Sequence, residues 1–141
     1  MPVRRANAEW KGDGPKGSGT VSTESGAVGG PYSWSGRFES GVGTNPEELL
    51  GAAHAACFSM ALSNDLAKAG FTPDSVRTEA QVHLEKVDGR NSVVRIVLDT
   101  VAQVPGIDPH TFQQHADAAK ANCPISRVVT GTQVQLNARL A

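Results

Sequence analysis

Cys57 and Cys123 are the two sulfurs of reactive type in a chain of 141 residues, and their surroundings decide what they can do. Cys57 lies midway along an apolar segment with helical character, and Cys123 stands directly before Pro124 at the end of a second such segment. Two cysteines behind an N-terminus with no leader-like apolar run point to thiol redox or metal chemistry rather than to a secreted disulfide framework. A thiol in the middle of a buried helix gains little from the helix dipole, and burial raises its pKa. Cys57 therefore becomes a nucleophile only where the fold brings it a cation. Arg37 precedes the helix and Arg127 follows Cys123. Arg37 is the preferred activator, because a guanidinium stays charged when desolvated and offers several donors to a thiolate and to a bound oxygen anion.

A desolvated arginine needs a counter-charge of its own. Glu47 and Glu48 are the nearest carboxylates in sequence. Ten residues separate Glu47 from Cys57, which at ~1.5 Å rise each amounts to about 15 Å along a straight helix. Either the start of the helix bends, or Arg37 and its carboxylate serve the Cys57 of a second chain. The second option is favoured, because the Cys57 helix reads as apolar on every side and one later strand as apolar on both faces. An obligate homodimer with sites at its interface is expected.

The elements that carry these residues can be read from pattern. Three short strands at 6–10, 19–25 and 32–38 alternate with Gly, Pro and Lys turns, which would place Arg37 at the end of the third. Thr44 or Asn45 can cap the following helix, Pro46 suits its first position, Glu47 and Glu48 complement the dipole, and Gly70 stops it. From Leu49 to Leu62 nearly every side chain is apolar or small, so the helix is expected to be buried all round. Val76, Thr78, Ala80, Val82 and Leu84 then alternate with polar residues as a strand with one wet face. Asp88-Gly89 is a hairpin turn. In the next strand, 92–104, Val94, Ile96 and Leu98 read as one face and Val93, Val97 and Val101 as the other. Asp108-Pro109 opens a second helix to about Asn122, and 132–140 forms a last strand. The predicted order is βββ-α-ββ-α-β, an α+β fold in a single domain over 1–141.

Composition excludes several partners. A formal charge of −1 exerts no long-range pull on nucleic acid or on an anionic membrane. No run reaches the roughly 18 to 20 apolar residues that span a bilayer. No nucleic acid, no membrane and a cytoplasmic setting are expected.

The segment GTNPEELLGAAHAACFSMAL at 43–62, with VSTESG, GFTP, VPGID and NCPIS at their places along the chain, closely resembles the OsmC branch of the OsmC/Ohr family of thiol peroxidases. The resemblance implies an intertwined homodimer in which Cys57 is the peroxidatic cysteine and Cys123 the resolving one. Arg37, in GRFE, and Glu47, in NPEE, match the family's activating pair. The implied reaction is reduction of organic hydroperoxides, and more weakly of hydrogen peroxide, through a Cys57 sulfenic acid and a Cys57–Cys123 disulfide. An external dithiol, of lipoyl type, would restore the thiols, with no metal or bound cofactor, in defence against oxidative and osmotic stress. Leu49, Leu50, Phe38, Phe58 and Met60 are the apolar residues available for a substrate pocket.

Blander readings stand beside this one. Free cysteine is most often a small buried hydrophobe, and Arg37 with Glu47 can be a structural ion pair. Glu48 sits where a capping box places Glu. His54 and Cys57, three apart, share a helix face, which raises a zinc site or a Cys-His hydrolase. The chain has neither CxxC nor HxxxH, and zinc would need His83 and Cys123 to converge on the pair. His83, His110 and His115 are expected in solvent, and Trp10 and Trp34 in packing. A non-catalytic ligand-binding dimer on the same scaffold is the alternative function.

Overall fold

The computed structural model describes every residue of the chain, Met1–Ala141. It divides into two compact units, Met1–Leu49 and Leu50–Ala141. The first is a small antiparallel sheet in the order β1-β2-β3, made of β1 (Ala6–Lys11), β2 (Ser18–Thr23) and β3 (Gly29–Tyr32), followed by a short helix α1 (Trp34–Phe38). Pro31 has no N–H to give a ladder, and it lies on an edge strand. Gly19 sits beneath the rings of Trp10 and Tyr32, where a Cβ would come within 2.5 Å of both. Any larger residue there would push the two aromatics apart.

Helix α2 (Pro46–Lys68) follows, and the boundary between the two units falls after its residue Leu49. Its start follows the sequence signals: Asn45 Oδ1 accepts from the Glu48 N–H at 2.8 Å, with Pro46 in the first turn where its missing donor costs nothing. The second unit adds β4 (Ser75–Val87), β5 (Arg90–Gln103), α3 (Pro109–Asn122), α4 (Pro124–Val128) and β6 (Gln133–Leu140). Strand β5 is central, antiparallel to β4 and parallel to β6. Asp88 and Gly89 both have positive φ, +50° and +76°, the conformation that a two-residue hairpin turn requires. Asp108 caps α3 by accepting from the Thr111 N–H at 2.9 Å.

Phe58, Leu62 and Leu66 of α2 pack with Ile96, Leu98 and Ala102 of β5 and with Phe112, Ala116, Ala119 and Cys123 of the α3 face as one core. Burying a side chain the size of Phe or Leu stabilises by about 1.5–3 kcal/mol. Ser59 donates to Thr78 at 2.8 Å, and Thr78 shares a hydrogen bond with the fully buried Thr100 at 2.9 Å. That chain of hydroxyls joins α2 to β4 and β5.

The α+β class and most elements agree with the sequence pattern, and three readings are corrected. Segment 32–38 is not a third strand: β3 ends at Tyr32, and Ser33 Oγ accepts from the Gly36 N–H at 2.9 Å to start a helix. Arg37 therefore stands on a helical turn, and the chain carries two short helices, α1 and α4, beyond the predicted order. Within the chain α2 is buried along one stripe, Gly51, His54, Phe58, Leu62 and Leu66, not all round; Ala52, Ala53, Ala56 and Met60 are exposed. In β5 the pairing shifts register between His83 and Leu84, so that His83 faces Arg95 while Leu84 faces Val93. Val94 is the extra residue of the resulting bulge, and Val93 rather than Val94 joins Ile96 and Leu98 against the core.

Candidate active site

Cys57 lies one turn along α2 from His54, on the side that meets the α3–α4 corner. Cys123 is at once the last residue of α3's buried stripe and the residue from which α4 starts. Pro124 brings this about: it suits the first position of a new helix, yet as the next residue it turns Cys123 out of helical geometry, to φ −54° and ψ 126°. The two free sulfurs stand 2.8 Å apart, too far for a covalent bond and close enough to form one with a small shift. Cys123 is fully buried and Cys57 half-buried. Burial, and then the adjacent Cys123 sulfur, push the Cys57 thiol above its ordinary pKa, while the Ile125 N–H, donated to the Cys57 sulfur, acts the other way. No cation is among the groups that set it.

The second constellation belongs to the first unit. Glu47 takes two donors from Arg37, with Nη2 to Oε1 at 2.8 Å and Nε to Oε1 at 3.0 Å. The side chain of Glu47 is only 12% exposed, and that of Arg37 38%. The carboxylate engages Nε and Nη2 but not Nη1, which leaves one edge of the guanidinium for another acceptor. Asn45 holds the pair together. While its Oδ1 caps α2, its Nδ2 donates to the carbonyl of Gly36 at 2.9 Å. One amide thus ties the turn that carries Arg37 to the turn that carries Glu47. A capping role for Asn45 is visible in sequence; its second bond is not.

Beside Arg37 lies a cleft of about 210 Å³ lined by Trp10, Gly14, Tyr32, Ser33, Trp34, Arg37 and Pro46. Gly14 keeps it open, since a Cβ there would reach within 2.8 Å of the Trp34 ring. Trp10 and Trp34, expected only in packing, form two of its walls, and aromatic crowding around a single arginine is the sequence signal that marks them. Phe38 packs on Trp34 with ring centroids 4.7 Å apart, and the Arg37 guanidinium lies 5.3 Å from the Phe38 ring centre.

The remaining pocket candidates are scattered. Leu49 and Leu50 are half-buried, Phe58 is wholly enclosed in its core, and Met60 is 74% exposed in a shallow groove with Ser59 and Ser63. Cys57 and Cys123 are brought together, as are Arg37 and Glu47, one pair in each unit. His54 is fully buried, with Nε2 at 2.7 Å from the Ser126 hydroxyl, and burial lowers its pKa. His83 is half-buried against Arg95 Nη2 at 3.2 Å rather than free in solvent. No three His, Cys, Asp or Glu side chains are grouped to hold a metal ion, and no helix is long and apolar enough to cross a membrane.

Comparison with known proteins gives a consistent picture. Residues 38–137 match the family model described as OsmC-like protein. The chain is 54% identical over 127 residues, 89% of each chain, to the peroxiredoxin OsmC of Escherichia coli. The crystal structure of the organic hydroperoxide resistance protein OhrB of Bacillus subtilis superposes with a TM-score of 0.71 at 26% identity, covering 96% of this chain and 98% of that one. An OsmC-like protein of Vibrio cholerae shares the fold with a TM-score of 0.79 at 21% identity, over 99% of this chain and all of the other.

Proposed function

From the premise that this chain belongs to the OsmC family, we propose that it reduces organic hydroperoxides by a two-cysteine cycle, acting as one domain over 1–141 in the cytoplasm. The coarser statement, that it is a peroxidase, rests on its likeness to the peroxiredoxin. The observation that carries the cycle is the 2.8 Å approach of two free sulfurs from segments 66 residues apart in sequence. The Cys57 thiolate attacks the terminal peroxide oxygen; the O–O bond breaks and the alcohol leaves with a proton. Cys57 is left as a sulfenic acid. The Cys123 thiolate displaces hydroxide from that sulfur, giving a disulfide and water. An external dithiol, of lipoyl type in this reading, returns both thiols by exchange.

A buried thiol raised in pKa needs a cation for the first step, and Arg37 with its free Nη1 edge is the group suited to supply it. We assign that role to Arg37 and Glu47 of the second protomer of a homodimer, acting on Cys57 of the first. Two features support this reading: α2 is a single helix from Pro46 to Lys68, so that Glu47 and Cys57 stand ten residues apart on it, and the small side chains Ala52, Ala53 and Ala56 leave its outer face exposed and apolar. The aromatic cleft beside Arg37 suits the organic tail of the substrate, which would favour organic hydroperoxides over hydrogen peroxide by about 1–3 kcal/mol for each methylene-sized contact.

The test is a thiol count after one equivalent of cumene hydroperoxide on reduced protein, alongside Cys57→Ser and Cys123→Ser. The expected result is loss of both thiols in the wild type, no reaction in Cys57→Ser, and a trapped sulfenic acid in Cys123→Ser. Thiols that survive peroxide in folded protein would end the peroxidase cycle and leave the ligand-binding dimer in its place.

A further inference from the structure

The strongest feature that the cycle does not use is the buried pair His54–Ser126. His54 has no exposed surface. Its Nδ1 is buried without a partner, so the 2.7 Å contact of Nε2 with Ser126 Oγ is the ring's single polar tie. That tie crosses 72 residues of sequence and joins the same two segments as the sulfur pair. On α2, His54 precedes Cys57 by three residues and so lies on its face one turn earlier. On the other side, Cys123 begins α4, the Ile125 N–H reaches the Cys57 sulfur, and Ser126 follows directly. The α4 turn, only five residues long, has no buried residues of its own. Ile125 packs on the edge of the core, and the polar ties that hold the turn on α2 at the reacting end are Cys123 and Ile125 on Cys57, and Ser126 on His54.

We propose that His54 and Ser126 are positioning residues for the resolving step. They anchor α4 so that the Cys123 sulfur stays aimed at Cys57 after Cys57 has become a sulfenic acid. The step they serve forms the S–S bond and breaks the Cys57 S–O bond, with hydroxide leaving and taking up the Cys123 proton as water. The competing fate of the sulfenic acid is a second peroxide, which transfers one oxygen to give sulfinic acid and alcohol. Once Cys57 is oxidised, the Cys123 and Ile125 contacts to its thiol are lost or altered, and His54–Ser126 is the polar tie between α2 and α4 that the oxidation does not touch. Without it the two sulfurs drift, and the partition moves from disulfide to sulfinic acid.

This inference rests on the two-cysteine reading above, and its experiment separates the two. Reduced wild type, Ser126→Ala, Ser126→Thr, His54→Leu and the Ser126→Ala/His54→Leu double variant are treated with rising cumene hydroperoxide without a reductant. Cys57 sulfinic acid and Cys57–Cys123 disulfide are then counted by mass spectrometry in the folded fraction. Ser126→Ala is expected to slow disulfide formation about tenfold, since small misplacement of reacting atoms is costly, and to raise the sulfinic share accordingly. The initial loss of the Cys57 thiol should keep its rate. Ser126→Thr, which keeps the hydroxyl, restores the disulfide, and the double variant is no worse than the single ones because the two residues act through one contact. An unchanged partition in Ser126→Ala beside a reactive wild type, or additive effects in the double variant, overturns the positioning role alone. A wild type whose thiols ignore peroxide removes the parent reading and this inference with it.

Discussion

Replacing Arg37 by methionine separates two effects that an activating arginine combines. In its own chain the Cys57 thiol is pushed above its ordinary value by burial and by Cys123. An ordinary thiol, with pKa near 8.5, is only about 3% ionised at pH 7. Cys57 without its cation is therefore at least about 30-fold short of thiolate at that pH. The more basic sulfur is also the better nucleophile, with a Brønsted slope of about 0.4–0.5, so roughly half of that loss on a logarithmic scale is returned and about fivefold remains. The other effect is the donor lost from the peroxide oxygen as charge develops on it. Glu47 leaves Nη1 unengaged, and removing one preorganised donor of this kind costs about 10²-fold or more. The second effect wins, and Arg37→Met is expected to be slower by about 500-fold at pH 7. As pH rises past the range of an ordinary thiol, the variant ionises without help and keeps the roughly fivefold advantage of its more basic sulfur, so its deficit should narrow toward about 20-fold and stop there. Stopped-flow oxidation by cumene hydroperoxide between pH 6 and 10, with thiolate absorbance read in parallel, measures both. A deficit below about fivefold at pH 7 refutes the assignment of Arg37, and a deficit that does not narrow with pH refutes the ionisation argument.

If Arg37 acts across a two-fold axis, two dead variants should rescue each other. Cys57→Ser and Arg37→Met, unfolded together and reassembled at equal amounts, are expected to recover about a quarter of wild-type activity, from the half of the dimers that are mixed and carry one intact site; no recovery in verified mixed dimers means that the sites lie within one chain. Trp34→Ala opens one wall of the cleft beside Arg37 and should raise KM for cumene hydroperoxide about tenfold or more while leaving hydrogen peroxide unaffected; equal changes for the two peroxides argue against the cleft as the tail site. The lowered pKa of His54 ties stability to acid. Its contribution is complete above the unfolded value of about 6.5 and is lost as pH falls through the lowered folded value, because the buried ring must then charge. Urea midpoints should fall on going from pH 7 to pH 5, and His54→Leu should flatten that fall; an unchanged slope in the variant would place the acid sensitivity elsewhere.

What could be read from sequence divides along physical lines. The start of α2 was legible because Asn45, Pro46, Glu47 and Glu48 act locally, each on its own turn. The same holds for the Asp88-Gly89 turn and the Asp108 cap. The strand read over 32–38 failed because Tyr32, Trp34 and Phe38 alternate as strand residues do, while one hydroxyl on Ser33 decides for a helix. The faces of β5 were misread because a single extra residue, Val94, reverses the alternation, and nothing in a run of valines marks where the bulge falls. How much of α2 its own chain buries was not legible, because composition gives apolarity, not what covers it. Of the site, the cysteines and the Arg37–Glu47 pair were recognisable by type and motif. Asn45 as a bridge, the aromatic cleft and the His54–Ser126 tie were not, since each depends on contacts between segments far apart in the chain.

Cys123 is fully buried as part of the core that Phe112, Ala116 and Ala119 build along α3, whereas Cys57 is half-exposed. On the proposed two-cysteine cycle, that difference would give the reductive half a direction. An incoming thiolate would reach only the Cys57 sulfur of an oxidised pair, so the mixed disulfide with the reductant would form on Cys57, and Cys123 would be released first, back into the apolar position it already fills. Contact with the electron donor would then be confined to the same sulfur that meets the peroxide, and one opening would serve oxidant and reductant in turn.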